Sequence, residues 1–198
     1  MGIFESRPAR ASRIVMLMAG AVACGGRTSP ADTPPGPTPA RTVDLASVYL
    51  LQMSGTPPPD TTVTLTSGTP RHILFRTARP DNTVLADLYF GAQAFQAPPG
   101  TAVPVTLRAN PDAFGLILES GSPFQAGGEI TFKYAVHFQA PPEATAKYPN
   151  HVLLERGLAV GRLAAGGQID LLPSVRPASD NLQAPAAAPG TYVVAAPR

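Results

Sequence analysis

The chain has 198 residues, of which 24 are Pro and 18 Gly, with 14% charged residues, no Trp and a single Cys. Pro and Gly at that density argue against a helical bundle, because both break helices. An apolar content of 44% excludes a charge-rich disordered chain. One Cys excludes an internal disulfide framework and any zinc site built from several cysteines.

In chain order, the first feature is a cationic stretch carrying Arg7, Arg10 and Arg13, followed by an unbroken apolar run from Ile14 to Ala23. As a helix, such a run covers about 15 Å, half of a hydrocarbon core of about 30 Å. It is too short to span a bilayer and has the length of the apolar region of a secretory signal. Ala21-Val22-Ala23 then precedes Cys24, with Gly25 and Gly26 behind it. This resembles the bacterial lipoprotein signal, in which small residues precede a Cys that is acylated and becomes the mature N-terminus. The resemblance implies cleavage after residue 23 and lipid attachment at Cys24. Gly25, where Asp would favour inner-membrane retention, implies sorting to the outer membrane. The same Ala21-Val22-Ala23 also fits an ordinary cleavage site, which would leave Cys24 a free thiol in an oxidising compartment. Acylation has a direct physical effect, since each buried methylene contributes about 0.8 kcal/mol and two or more chains anchor stably.

Residues 24–40 are the expected lipidated end and linker. From Gly25 to Ala40 there are five Pro, three Gly and no large apolar residue. Such a segment is a tether, reaching roughly 50 Å if extended at about 3.1 Å per residue.

Residues 41–198 read as one all-β domain, an antiparallel β-sandwich, because apolar residues recur with period 2. Val43 to Met53 opens it, with a phase shift near Ser47 that suggests a bulge. Val63 with Leu65, Ile73 with Phe75, and Val84, Ala86, Leu88 and Phe90 mark the next strands. Val103, Val105 and Leu107 follow, and Pro104 among them predicts an edge strand or a bulge. Phe114, Leu116 and Leu118 come next. The cleanest alternation, Ile130 to Phe138, predicts one long strand with Lys133 and His137 on its polar face. His151 to Leu163 contains Gly157 and Gly161, which weaken a helix, so a strand or hairpin is expected. Ile169 with Leu171, and Tyr192 with Val194, complete the set. Turn signals separate these runs at Pro57–Asp60, Arg79–Asn82, Pro98–Gly100, Asn110–Asp112, Gly127–Gly128, Pro141–Pro142 and Ala165–Gly167. Pro173 to Gly190, rich in Ala and Pro, is expected to be a long loop.

The order of several motifs resembles a known domain. Val84 to Phe95, Val103 to Leu107, the glycine-led Phe114 to Leu118, Phe124 and the run from Ile130 are followed by Asp180 to Ala184 and Gly190 to Val194. This order is similar to the β-sandwich named for zona-occludens proteins and netrin receptors, which ankyrins and bacterial surface lipoproteins share. It covers about residues 83–196, and it lacks the Trp and the His-Phe pair found near the end of that domain. The resemblance implies a sandwich fold and a binding-module role, and it carries over no catalytic residue.

Chemistry-bearing motifs are sparse. His72, His137 and His151 are the three histidines, and none stands in an H-E-x-x-H pattern. The sequence leaves open whether any two of them meet in space to hold a metal. No G-x-S-x-G elbow, phosphate loop or calcium loop occurs. Carboxylates are scattered without a marked pair. No catalytic, cofactor-binding or metal residue is expected, and the functional residue singled out is Cys24. Removing residues 1–23 takes away three Arg and Glu5, leaving twelve basic and twelve acidic side chains. A neutral mature chain is not expected to bind nucleic acid. The expectation is a non-enzymatic binding, adhesion or scaffolding module on the bacterial envelope, with a protein or glycan ligand and no cofactor. An envelope hydrolase or carbohydrate-active protein with a site assembled from loops is the alternative.

Overall fold

The computed structural model describes residues 40–198 apart from Ala126 and Ala135. The expected signal peptide, Cys24 and nearly all of the linker lie outside the described residues. In chain order the strands are β1 (Arg41–Asp44), β2 (Val48–Leu50), β3 (Gln52–Met53), β4 (Thr61–Thr66), β5 (Arg71–Arg76) and β6 (Val84–Phe90). Then come β7 (Ala102–Ala109), β8 (Gly115–Ser120), β9 (Gly128–Lys133) and β10 (Phe138–Gln139). One helix, α1 (His151–Gly157), precedes β11 (Ala159–Ala164), β12 (Gln168–Leu171), β13 (Asn181–Pro185) and β14 (Gly190–Pro197).

The strands form an all-β sandwich. The larger sheet runs β1-β12-β11-β14-β8-β7-β4, with β2 also paired to β14, and the smaller runs β13-β9-β6-β5. Every pairing is antiparallel. The turn from Ser67 to Pro70 carries the chain from one sheet to the other. The main core lies between the sheets. Leu65, Val105, Leu107, Leu116, Tyr192 and Val194 enter it from the larger sheet, and Ile73, Phe75, Leu88, Phe90, Ile130, Phe132 and Leu182 from the smaller. These are the positions at which period 2 set the apolar face, as burial of alternate residues demands.

A second apolar cluster has a different origin. A 3-10 turn at Leu45–Ser47 joins β1, paired with β12, to β2, paired with β14. The five strands β2, β14, β11, β12 and β1 therefore curl around Val48, Ala159, Ile169, Leu171, Val193 and Ala195. β14 is consequently buried on both faces, which is why residues 192–196 read as an apolar run.

Several expectations are corrected. The phase shift near Ser47 is that 3-10 turn and not a bulge. β7 is an interior strand flanked by β4 and β8. Pro104 is tolerated there because its carbonyl accepts from Gly121 N–H at 2.8 Å, beyond Ser120, the last β8 residue in register. Its missing N–H thus costs no ladder bond. The long strand from Ile130 to Phe138 breaks after Lys133. Its pairing ends there, with Ala86 of β6 opposite Phe132 and Asn181 of β13 opposite Lys133, and His137 takes a left-handed φ of 63°. His151 to Leu163 is helix α1 followed by β11, not a hairpin. The Asn150 side chain accepts from Leu153 N–H at 3.0 Å, which starts the helix, and Gly157 stands at its end rather than inside it. The expected loop from Pro173 to Gly190 contains β13, an edge strand of the smaller sheet.

Candidate binding face

The smaller sheet buries one face in the core and leaves the other open. Alternation along each strand decides which side chains stand on the open face. These are His72 and Leu74 from β5, Asp87 and Tyr89 from β6, Glu129, Thr131 and Lys133 from β9, and Asn181 and Gln183 from β13. Strand register brings them together. Tyr89 lies opposite His72 on one side and Glu129 on the other, and Thr131 lies between Asp87 and Gln183. His72, Asp87, Tyr89, Glu129, Thr131 and Gln183 line a depression of about 300 Å³.

The depression is internally braced. His72 Nδ1 lies 2.9 Å from Asp87 Oδ1, and the His72 ring packs on Tyr89 with centroids 4.8 Å apart. Gln183 Nε2 donates to Glu129 Oε2 at 3.0 Å. Asp87 and Glu129 are diagonal neighbours across β6 and β9, a separation of about 7–8 Å between backbones. Two carboxylates, an imidazole, a phenol, a hydroxyl and an amide thus share one open hollow. Its chemistry is that of hydrogen bonding and stacking at a surface.

The other two histidines are elsewhere. His137 Nε2 lies 2.6 Å from Asp81 Oδ2, in the turn between β5 and β6. Asp81 also accepts from Thr77 Oγ1 at 2.7 Å and from Thr83 Oγ1 at 2.6 Å. Those two hydroxyls, and then His137, hold its carboxyl below the ordinary carboxylate range. The His137 ring closes against Gly55, where a Cβ would stand 2.8 Å from Nδ1. His151 is exposed at the start of α1 and lines a separate, mostly apolar depression of about 290 Å³ with Phe138, Ala144, Tyr148 and Leu154. The structure pairs His72 and His137 with different aspartates and leaves His151 at a third place. Among the described residues, no three His, Cys, Asp or Glu side chains form a group able to hold a metal ion.

Burial raises the Tyr134, Tyr148 and Tyr192 hydroxyls above their ordinary range, so all three stay neutral and act as packing groups. Tyr134 is 1% exposed and donates to Ser179 O, as expected of a core residue. Tyr89 is the tyrosine presented to the hollow. The alternation of Val84, Ala86, Leu88 and Phe90 leaves Asp87 and Tyr89 on the opposite side of their strand, but the sequence did not assemble the face. The missing information was strand neighbourhood, since β9 sits between β6 and β13 and nothing local records that order.

No family model matches the chain, and neither a curated protein nor a solved structure matches it. Among the described residues no helix is long and apolar enough to cross a membrane.

Proposed function

We propose that this chain is a lipid-anchored protein of a bacterial envelope. Residues 1–23 carry it across the inner membrane, and an acylated Cys24 holds it at the outer membrane, facing the periplasm or the surface. The sandwich acts as a non-enzymatic binding, adhesion or scaffolding module, with the outer face of β13-β9-β6-β5 as its contact surface. The observation that carries this reading is the hollow itself: six polar or aromatic side chains from four strands, gathered on an open sheet face. The motif order resembling the zona-occludens and netrin-receptor sandwich agrees with such a role. Expressed in a bacterium, the chain is expected to partition into detergent and to carry acyl mass on Cys24, and Cys24→Ala is expected to abolish both. A soluble, unacylated product beginning at another residue would sink the anchor.

A second reading has one specific observation in its favour. Asp87 and Glu129 line the same depression, as the two carboxylates of a glycoside-cleaving site would. An envelope hydrolase is expected to release product from aryl glycosides or cell-wall saccharides and to lose that activity in Glu129→Gln. Absence of turnover across such a panel removes this reading.

A further inference from the structure

The hydrogen-bond inventory of the hollow decides what kind of ligand it fits, and this inference rests on the binding role just proposed. Asp87 uses Oδ1 to accept from His72, and Oδ2 has no partner among the described residues. Glu129 uses Oε2 to accept from Gln183, and Oε1 has no partner among the described residues. Gln183 spends one amide hydrogen on that bond and keeps its carbonyl oxygen. Because Nδ1 of His72 faces a carboxylate, Nδ1 carries the proton, and in the neutral ring Nε2 is then a bare acceptor. Among the described residues, four acceptors, two of them charged, are left unused. The fixed donor capacity is a single amide hydrogen, and the Thr131 and Tyr89 hydroxyls serve either role. The nearest cation on β9, Lys133, is engaged with Asn181 Oδ1 at 3.3 Å and does not line the hollow.

An acceptor-rich, anionic hollow with an aromatic side wall selects a compact cation with several hydrogens to give. We propose that this face binds a primary ammonium on an extended alkyl arm, of the kind a lysine side chain presents. The three ammonium hydrogens match Asp87 Oδ2, Glu129 Oε1 and either Gln183 Oε1 or His72 Nε2. The arm's methylenes lie along the Tyr89 and His72 rings, where a cation near an aromatic face is also favoured. Phosphate, sulfate and uronate groups are disfavoured by the same two carboxylates. A lysine-type arm supplied by a partner protein is the occupant that suits an adhesion or scaffolding module.

The test is titration of the full chain, purified in a nonionic detergent, with backbone amide shifts as readout. The probes are a lysine-containing tripeptide, cadaverine, glucosamine and neutral N-acetylglucosamine oligomers. Saturable shifts centred on residues 72, 87, 89, 129 and 183 are expected with the lysine peptide, weakening as salt rises. Glu129→Gln and Asp87→Asn are each expected to weaken binding about fivefold, as for a partly exposed ion pair, with an unchanged spectrum away from the face. Glu143→Gln, which removes an exposed carboxylate away from this face, is expected to bind like the parent chain and ties the losses to the hollow. Equal binding of cadaverine supports the ammonium and removes the peptide as the required source. Binding at this face by neutral saccharide alone, insensitive to salt, overturns the ammonium while leaving the face as the binding site. No shift at the face with any probe overturns the ammonium and counts against the face itself.

Discussion

Asp81, in the turn between β5 and β6, and Asp170, in β12, perform the same task on different sheets. Each carboxylate ties together segments distant in sequence, and each is held below its ordinary range by the hydroxyls and the basic side chain it gathers. For Asp81 these are Thr83, Thr77 and His137, and for Asp170 they are Thr42 and Arg162, with Thr42 Oγ1 at 2.7 Å and the Arg162 guanidinium at 3.1 Å. A carboxylate with a lowered folded pKa contributes stability above its unfolded value of about 3.9. That contribution fades as pH falls through the folded pKa. Asp81→Asn and Asp170→Asn are therefore expected to unfold more easily than the parent near neutral pH. The difference should shrink below about pH 4, which denaturant titrations at stepped pH would measure. A constant difference down to strong acid would assign these carboxylates a packing role only. Arg176 is a second kind of tie. Its guanidinium donates to Leu158 O at 3.0 Å and to Glu155 O, closing the end of α1 from the loop before β13. Arg176→Ala leaves two carbonyls without this partner, and a loss of about 2 kcal/mol is expected in chemical denaturation. Arg176→Lys should restore only part of it, because an ammonium lacks the fork. Little of this was legible in the sequence. Asp81-Asn82 announced a turn, yet nothing near it named His137, because the contact depends on a loop returning from β9.

At the scale of elements, the strands that alternate cleanly were legible, and the misreadings share one cause. Period 2 reports what a segment can do, while neighbours decide where it stops. Ile130 to Phe138 keeps its alternation to the end, yet Val136 is 46% exposed because no strand remains beside it. β13 carries few large apolar residues but folds as a strand because β9 offers it an open edge. Helix α1 was hidden by Gly157, whose role is to end it, and Asn150 is the signal that could have revealed it. Asn150→Ala is expected to cost about 1 kcal/mol and to leave the sheets intact. Urea titration would give the cost, and amide exchange confined to residues 150–157 would place it. Gly115 shows the converse, a residue visible in the sequence whose reason is tertiary. It lies opposite Val193, and a Cβ there would stand 2.2 Å from Tyr192 O, so β8 and β14 approach more closely than any side chain allows. Gly115→Ala must push main chain aside, and about 3 kcal/mol of destabilisation is expected, read as a lowered melting temperature.

The whole molecule is a two-sheet sandwich whose larger sheet curls at one end; β11 lines both apolar clusters, and so does β14. Arg198 stitches the start of the domain to that strand: its N–H donates to Ser47 O, its Nε to Val48 O at 3.0 Å, and its guanidinium lies 4.5 Å from the Tyr49 ring centroid. Arg198→Ala is expected to loosen residues 45–50 before any other segment, with faster amide exchange there and unchanged exchange in β6 and β9. That antiparallel all-β organisation was legible from alternation and turns, whereas the curl was not, because it follows from β1 and β2 choosing partners late in the chain. β1 carries a mechanical consequence. For a chain hung at Cys24, tension from the membrane arrives first at Arg41 and loads the four residue pairs between β1 and β12. That short edge strand is the first seam loaded, and the three residue pairs between β2 and β14 come next. The proposed ligand face lies on the other sheet and shares no strand with the seam. Under load the molecule would yield like a fuse, lengthening at its tethered end while its grip is untouched.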